Sequence, residues 1–318
     1  MSLDRILKEL SALWVDLSKP AAGESVTGVL RACTMTLIVL AEESDDMSAV
    51  GETVAALMPE HPARTILIRL HPDGPRALSD RVYAQCWMPF GQRRQICCEQ
   101  VEITVSDAAL SDLPSVVLPL AVADLPVILW CRASRLLGMP EFRAISGMAT
   151  RVIVDTGSMP DASAALQRLA GATGRAIFGD LAWTRLTRWR EMLAQLFQNR
   201  ELLAQAESIR DLRVRFGTGY ETAARYLAAW ISDCLAASKA TVAADPSVST
   251  LQLELSGGDL HIELYRQDQR LVAVVNGLAQ CTNLPQPGDY ILMREELSIT
   301  SRDAIFEQTL QSAARLAP

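Results

Sequence analysis

Hydrophobic positions along the chain follow two periods. Leu3, Ile6, Leu7, Leu10, Leu13, Trp14 and Leu17 recur at three- and four-residue spacing, which predicts an amphipathic helix ended by Lys19-Pro20-Ala21-Ala22-Gly23. A terminal helix of this kind is expected to dock on its own domain. Positions 35–41 (MTLIVLA) and 65–70 (TILIRL) are short and continuously apolar, as strands buried on both faces are. Between them, 45–58 reads as a helix stopped by Pro59, then a Glu60-His61-Pro62 turn, and His71-Pro72-Asp73-Gly74 closes the second strand. Strand, helix and strand make a parallel crossover unit. Positions 81–88 and 95–105 alternate and read as an antiparallel or edge pair. A short helix over 115–123, a strand from Pro126 to Cys131, a strand over 151–155 and a helix over 162–170 complete the alternation. The prediction is an N-terminal Rossmann-like α/β domain over 1–173, a statement about layers that carries no nucleotide with it.

From Gly174 the pattern changes. Trp189, Met192, Leu193, Leu196 and Phe197 share one helical face, with Thr187 placed to cap it. A strand over 212–216 leads to a second stripe of Ala223, Leu227, Trp230, Ile231, Cys234 and Leu235. Positions 240–249 are small, polar and interrupted by Pro246, so they read as a flexible connection. Strands follow near 251–255, 261–265, 271–275 and 278–282, separated at two points by Gly257-Gly258-Asp259 and Asn276-Gly277; Asn-Gly is a strong hairpin signal. Ile305, Phe306, Leu310 and Ala313 mark a last helix. Residues 174–318 thus form a C-terminal α+β domain with an antiparallel meander.

Composition narrows the function classes. With 318 residues and 49% hydrophobic content the chain can build two cores. A formal net charge of −7 argues against a general nucleic-acid binder. The most apolar run, 113–131, contains Pro114, Pro119, Asp124 and Pro126, which argue against a membrane span. Charges interrupt the N-terminus, so it does not read as a secretory signal. Seven cysteines without metal-ligand spacing fit a reducing, cytoplasmic setting. Adjacent Cys97 and Cys98 would point to opposite faces of a strand, so they read as ordinary strand residues rather than a vicinal disulfide.

Little catalytic chemistry is legible. Asp155-Thr156-Gly157 matches an aspartic-protease triplet, but that mechanism needs two such carboxylates. It reads as a turn at a strand end, and Asp155, Thr156 and Gly157 stand as a candidate ligand crevice because ligands of α/β sheets bind beyond strand carboxyl ends. Gly217-Thr218-Gly219 lies between a strand and a helix, yet the third glycine of a dinucleotide fingerprint falls on Thr222, which leaves a simple turn. His61, His71 and His261 form no metal-ligand spacing, and no cofactor or metal is implied.

The densest chemistry lies just after Gly179. Two tryptophans and three arginines (Trp183, Arg185, Arg188, Trp189, Arg190) fall within eight residues. They read either as a helix start pinned to its own domain by stacked rings and guanidinium groups, or as a recognition surface. Asp180-Leu181-Ala182-Trp183-Thr184-Arg185-Leu186-Thr187, followed by Trp189-Arg190, resembles the signature of the OpcA family of glucose-6-phosphate dehydrogenase assembly proteins. Glu60-His61-Pro62-Ala63-Arg64, the run 113–131 (LPSVVLPLAVADLPVILWC) and Arg151-Val152-Ile153-Val154-Asp155-Thr156 resemble it in the same order, from about Val26 onward. The family pattern has proline where this chain has Arg188. The resemblance implies a non-enzymatic partner that binds glucose-6-phosphate dehydrogenase and promotes its active oligomer. It also implies Asp180, Trp183, Arg185, Trp189 and Arg190 as partner-binding residues, with the basic cluster suited to an acidic surface. The alternative is a nucleotide or sugar-phosphate sensor, or an enzyme, using the crevice at Asp155.

Overall fold

The computed structural model describes residues 3–17, 29–72, 75–89, 94–172, 176–235 and 239–316. The chain divides into two compact units: Met1–Val154 with Gly174–Phe178, and Asp155–Thr173 with Gly179–Pro318. The predicted breaker at 19–23, the last two residues of the 71–74 turn, and the 173/174 position lie outside the described residues.

In the first unit, helix α1 (Leu3–Leu17) precedes strands β1 (Val29–Arg31) and β2 (Met35–Glu42). Helix α2 (Met47–Leu57), β3 (Ala63–His71), β4 (Leu78–Trp87) and β5 (Gln95–Ser106) follow, then α3 (Leu113–Val117), β6 (Val127–Cys131), α4 (Pro140–Ser146) and β7 (Arg151–Val154). The sheet order is β1-β5-β3-β2-β6-β7-β8, where β8 is Ile177–Asp180, with β4 added antiparallel on β5. Strands β2 and β3 are parallel, Met35 opposite Ala63 through Glu42 opposite Leu70, as the crossover pattern predicts. Neither is an edge strand, and side chains pointing to both faces are buried along each: Ile38, Val39, Leu40, Ile66 and Ile68. Asp46 starts α2 by accepting from the backbone N–H groups of Ser48 and Ala49. Helix α1 docks within its own unit: Ile6 and Leu10 are buried, Arg5 pairs with Asp80, and the Trp14 indole donates to Glu99.

Two sequence expectations need correction here. The helix expected over 115–123 is α3 plus a short 3-10 turn over Leu118–Leu120, because Pro119 prevents a continuous α-helical ladder. Cys97 is not an unbonded strand residue. The antiparallel register sets Cys86 opposite Cys97, with a Cα–Cα distance of 4.1 Å, and the two form a disulfide. A separation of eleven residues does not reveal that register. Cys98 remains a free thiol, and burial pushes it up to about 11.

The second unit begins with α5 (Ala162–Ala170), then α6 (Leu181–Thr184), α7 (Thr187–Leu196), α8 (Arg200–Gln205), β9 (Asp211–Phe216) and α9 (Glu221–Cys234). Strands β10 (Lys239–Ala244), β11 (Leu251–Gly257), β12 (Leu260–Gln267), β13 (Arg270–Val275) and β14 (Leu278–Asn283) precede α10 (Asp289–Ser298) and α11 (Ala304–Ala313). Among the described residues the sheet order is β10-β9-β11-β12-β13-β14. The predicted meander is antiparallel throughout from β9 through β11 to β14. Leu251, Leu253 and Leu255 alternate with less buried residues, so one face supplies the core. Asn276 and Gly277 both adopt positive φ, as the hairpin signal requires. The stretch 240–249 is not simply a flexible connection, since its first half is β10, parallel to β9 with Lys239 opposite Asp211. An edge strand of alanines buries little, so its hydrophobic pattern is weak. Helix α10 buries Leu292, Met293 and Glu296.

Gly217 ends β9 where the backbone of 248–250 passes over it. Its amide donates to Thr250 O at 2.8 Å, and a Cβ there would meet Val248 O at 2.1 Å. Gly217→Ala is expected to destabilise the protein by about 1–3 kcal/mol in urea unfolding, the usual cost of forced overpacking. A loss below about 0.5 kcal/mol would mean that the overlying segment moves aside freely.

Candidate functional site

The motif that begins at Asp180 folds inward. Asp180 is 0% exposed and caps α6, one carboxylate oxygen accepting from Ala182 N at 2.9 Å and Thr156 N at 3.0 Å. The other oxygen accepts from the Thr156 hydroxyl and from Tyr226 Oη, the latter at 2.8 Å. Burial and then the charge of Asp155 push this carboxyl up to about 6, against the hydrogen bonds from Thr156 and Ala182 that favour its ionised form. Burial also raises the Tyr226 phenol well above its ordinary range, with the Asp180 charge acting in the same direction. Next to this cap, Thr184 Oγ1 donates to Glu296 Oε1 at 2.6 Å, so α6 is tied to α10.

Trp183 is 3% exposed and forms an aromatic triangle with Tyr226 and Phe306, centroids 5.7 and 6.1 Å away. Arg190 stacks over the Trp183 ring with Cζ 3.8 Å from its centroid, and the indole N–H donates to Asp303 at 3.4 Å. Asp303 in turn caps α11 through Phe306 N. Burial pushes the Arg190 pKa down, opposed by Asp303 and Glu295, and its Nε has no hydrogen-bond partner among the described residues.

Thr187 is not the N-cap of the long helix. It is the first helical residue, and its Oγ1 lies 2.8 Å from Thr184 O and 2.5 Å from Glu295 Oε1; the capping carboxylate of the motif is Asp180, one helix earlier. The basic cluster between 185 and 190 does not form one surface patch. Arg185 makes a bidentate pair with Asp155, both contacts at 2.7 Å, Arg190 covers Trp183, and Arg188 is 65% exposed and pairs with Glu191. Neutralising partners thus stand beside two of the three guanidinium groups, which a count of arginines in the sequence cannot show.

Asp155, Thr156 and Gly157 belong to the second unit rather than to a crevice of the first, because the Asp155 carboxylate is held by Arg185 and Thr156 by Asp180. Thr222 on α9 also donates to Thr156 O at 3.2 Å. A cavity of about 320 Å³ opens beside this cluster, lined by Asp155, Gly157, Arg185, Trp189 and Gly219 among others. Both loops noted in the sequence, 155–157 and 217–219, therefore reach one cavity together with four motif residues, Ala182, Arg185, Leu186 and Trp189. Asp180, Trp183 and Arg190 are not among the residues that line it. Trp189 is 4% exposed and Arg185 33%. Among the described residues no cluster of His, Cys, Asp and Glu has the arrangement of a metal site, and no helix is long and apolar enough to cross a membrane.

Comparison with known proteins matches this motif to a family. Residues 54–171 match the family model described as glucose-6-phosphate dehydrogenase subunit N-terminal domain, and residues 176–310 the corresponding C-terminal domain. A protein of Synechocystis sp. named OxPP cycle protein OpcA is 24% identical over 192 residues, covering 59% of this chain and 39% of that protein. The protein of the same name from Nostoc punctiforme is 25% identical over 141 residues, covering 44% of this chain and 30% of its own length. The chain thus matches well under half the length of these relatives. Among solved structures, UDP-N-acetylglucosamine 3-dehydrogenase from Acidithiobacillus ferrooxidans is 10% identical, with 88% of this chain and 95% of that chain covered at a TM-score of 0.44. With both domain models matched in order and the Asp180–Arg190 motif at the start of the second, the chain belongs to the OpcA family of glucose-6-phosphate dehydrogenase assembly proteins.

Proposed function

We propose that this chain is a soluble cytoplasmic partner of glucose-6-phosphate dehydrogenase in the oxidative pentose phosphate cycle, and that it favours the assembled, active form of that enzyme without catalysis of its own. The observation that carries this reading is the match of both halves to domains described as subunits of that enzyme. A partner raises activity only by binding the active state more tightly than the inactive one, and a tenfold shift needs about 1.4 kcal/mol of difference. In this reading Asp180, Trp183 and Arg190 hold α6, α7 and α11 in one arrangement, while Arg185, a third exposed, stands nearer the surface that the partner meets and Trp189 packs beneath it. The depth of Asp180, Trp183 and Trp189 suits positioning more than direct contact.

The test mixes the full chain with glucose-6-phosphate dehydrogenase from the same organism and follows NADPH production and molar mass together. Co-elution with faster turnover is expected, and Arg185→Ala is expected to weaken the complex by about tenfold, the loss of one arginine anchor. Two folded proteins that neither co-elute nor change rate would overturn the proposal. Full activation by a folded Arg185→Ala variant would remove Arg185 from the contact.

A further inference from the structure

The cavity beside Arg185 has the make-up of a ligand site in its own right. Three charged side chains line it, Asp155, Arg185 and Arg266. The first two neutralise each other through their bidentate pair. Arg266 donates Nε to Asp268 O at 2.9 Å and has no carboxylate at ion-pair distance among the described residues, so one positive charge remains unbalanced. Helix α9, fourteen residues long, begins at this wall: Gly219, Tyr220 and Ala223 all line the cavity, and no side chain caps the helix. Its first-turn N–H groups and the positive end of its dipole favour an anion. Glu221, the acidic residue of that turn, is engaged with Arg225 at 2.8 Å.

An independent observation comes from Thr250. It lines the same cavity and is 9% exposed, and its Oγ1 is buried with no hydrogen-bond partner among the described residues. A buried hydroxyl left unpaired costs about 1–3 kcal/mol, and rotation of the Thr250 side chain would bring it to a ligand oxygen in the cavity. The remaining wall is apolar, built by Leu186, Trp189, Leu251, Leu284, Pro285 and Pro287. A volume of about 320 Å³ sits at the lower end of the range for small-molecule pockets.

We infer that this cavity binds a small organic anion, its phosphate or carboxylate head at Arg266, Thr250 and the start of α9, and its apolar body of about one ring against Trp189 and the proline-bearing wall. The site lies wholly within the second unit, so its occupancy is measured on the isolated chain without the dehydrogenase.

The experiment is isothermal titration of the isolated full chain with phenyl phosphate and with benzoate, at fixed ionic strength, with benzyl alcohol as the uncharged control. At least one of the anions is expected to bind at one site, and benzyl alcohol about tenfold more weakly or worse. Arg266→Gln and Thr250→Val, each checked for folding by circular dichroism, are each expected to weaken the anion by about tenfold. Which anion binds more tightly identifies the head group. The inference fails if neither anion binds at about 10 mM, where a millimolar site is mostly occupied. Equal binding of benzyl alcohol, or unchanged anion affinity in both folded variants, overturns it as well.

Discussion

Replacing Trp183 with alanine is expected to lower the unfolding free energy by about 4 kcal/mol, the cost typical of removing a buried aromatic side chain. The figure is large against the 5–15 kcal/mol that usually separates folded from unfolded chains. Three losses combine. The cavity left behind is bounded by Tyr226 and Phe306, whose own rings hold each other at 6.1 Å and resist collapse. The tilted aromatic contacts are worth about 0.5–1.5 kcal/mol per pair beyond burial. Arg190 loses the ring it stacks on, and its buried Nε already lacks a partner among the described residues, so the guanidinium has poor alternatives. Trp183→Phe keeps most of the stacking surface and forfeits the weak bond to Asp303, so it should fall well short of the alanine loss. Urea unfolding measures both, and an alanine variant within about 1 kcal/mol of the parent would mean that the cluster repacks around the gap.

The second large effect is a pH dependence seated at Asp180. Its carboxyl is raised from an ordinary 3.8 to about 6 in the folded protein, so the folded state holds the proton more tightly than the unfolded chain. This group therefore favours folding most at pH values below the unfolded pKa. The contribution is lost as pH rises from about 4 to about 6 and is then constant, a change of about 3 kcal/mol. Asp180→Asn keeps an acceptor for Ala182 N and Thr156 N and carries no charge, while Tyr226 and Thr156 can turn their hydroxyls to accept from the amide. The stability of the variant relative to the parent should rise by about 2–3 kcal/mol between pH 4 and pH 7. The comparison cancels acid effects at other sites, and a difference that stays level across that range would refute the assignment.

Residues differ in how far their structural role can be read from the chain alone. Uninterrupted apolar runs such as 35–41 leave a strand buried on both faces as the consistent solution, and β2 takes it. Asn276-Gly277 likewise announces its turn, because few other residue pairs accept two positive φ angles. Strand β10 is obscured because its alanines have little to bury and its place depends on pairing with β9 across more than twenty residues. The disulfide depends in the same way on the register of β4 and β5. At the site, aromatic and basic density marks the correct stretch. What density cannot tell is direction: Asp180 reaches inward to the hydroxyls of Thr156 and Tyr226, 24 and 46 residues away. The cavity, which gathers residues from 155 to 287, has no linear signature.

The interleaving of the two units has a consequence for the order in which the chain emerges from a ribosome. Residues 155–173 are made before 179–318, yet they belong to the same unit. Until Asp180 and Arg185 are translated, the hydroxyl of Thr156 and the carboxylate of Asp155 have no native counterparts. Completion of the first sheet likewise waits for β8. Neither unit can therefore finish folding as an isolated early product, and the Asp180 motif is the point in synthesis at which both begin to close.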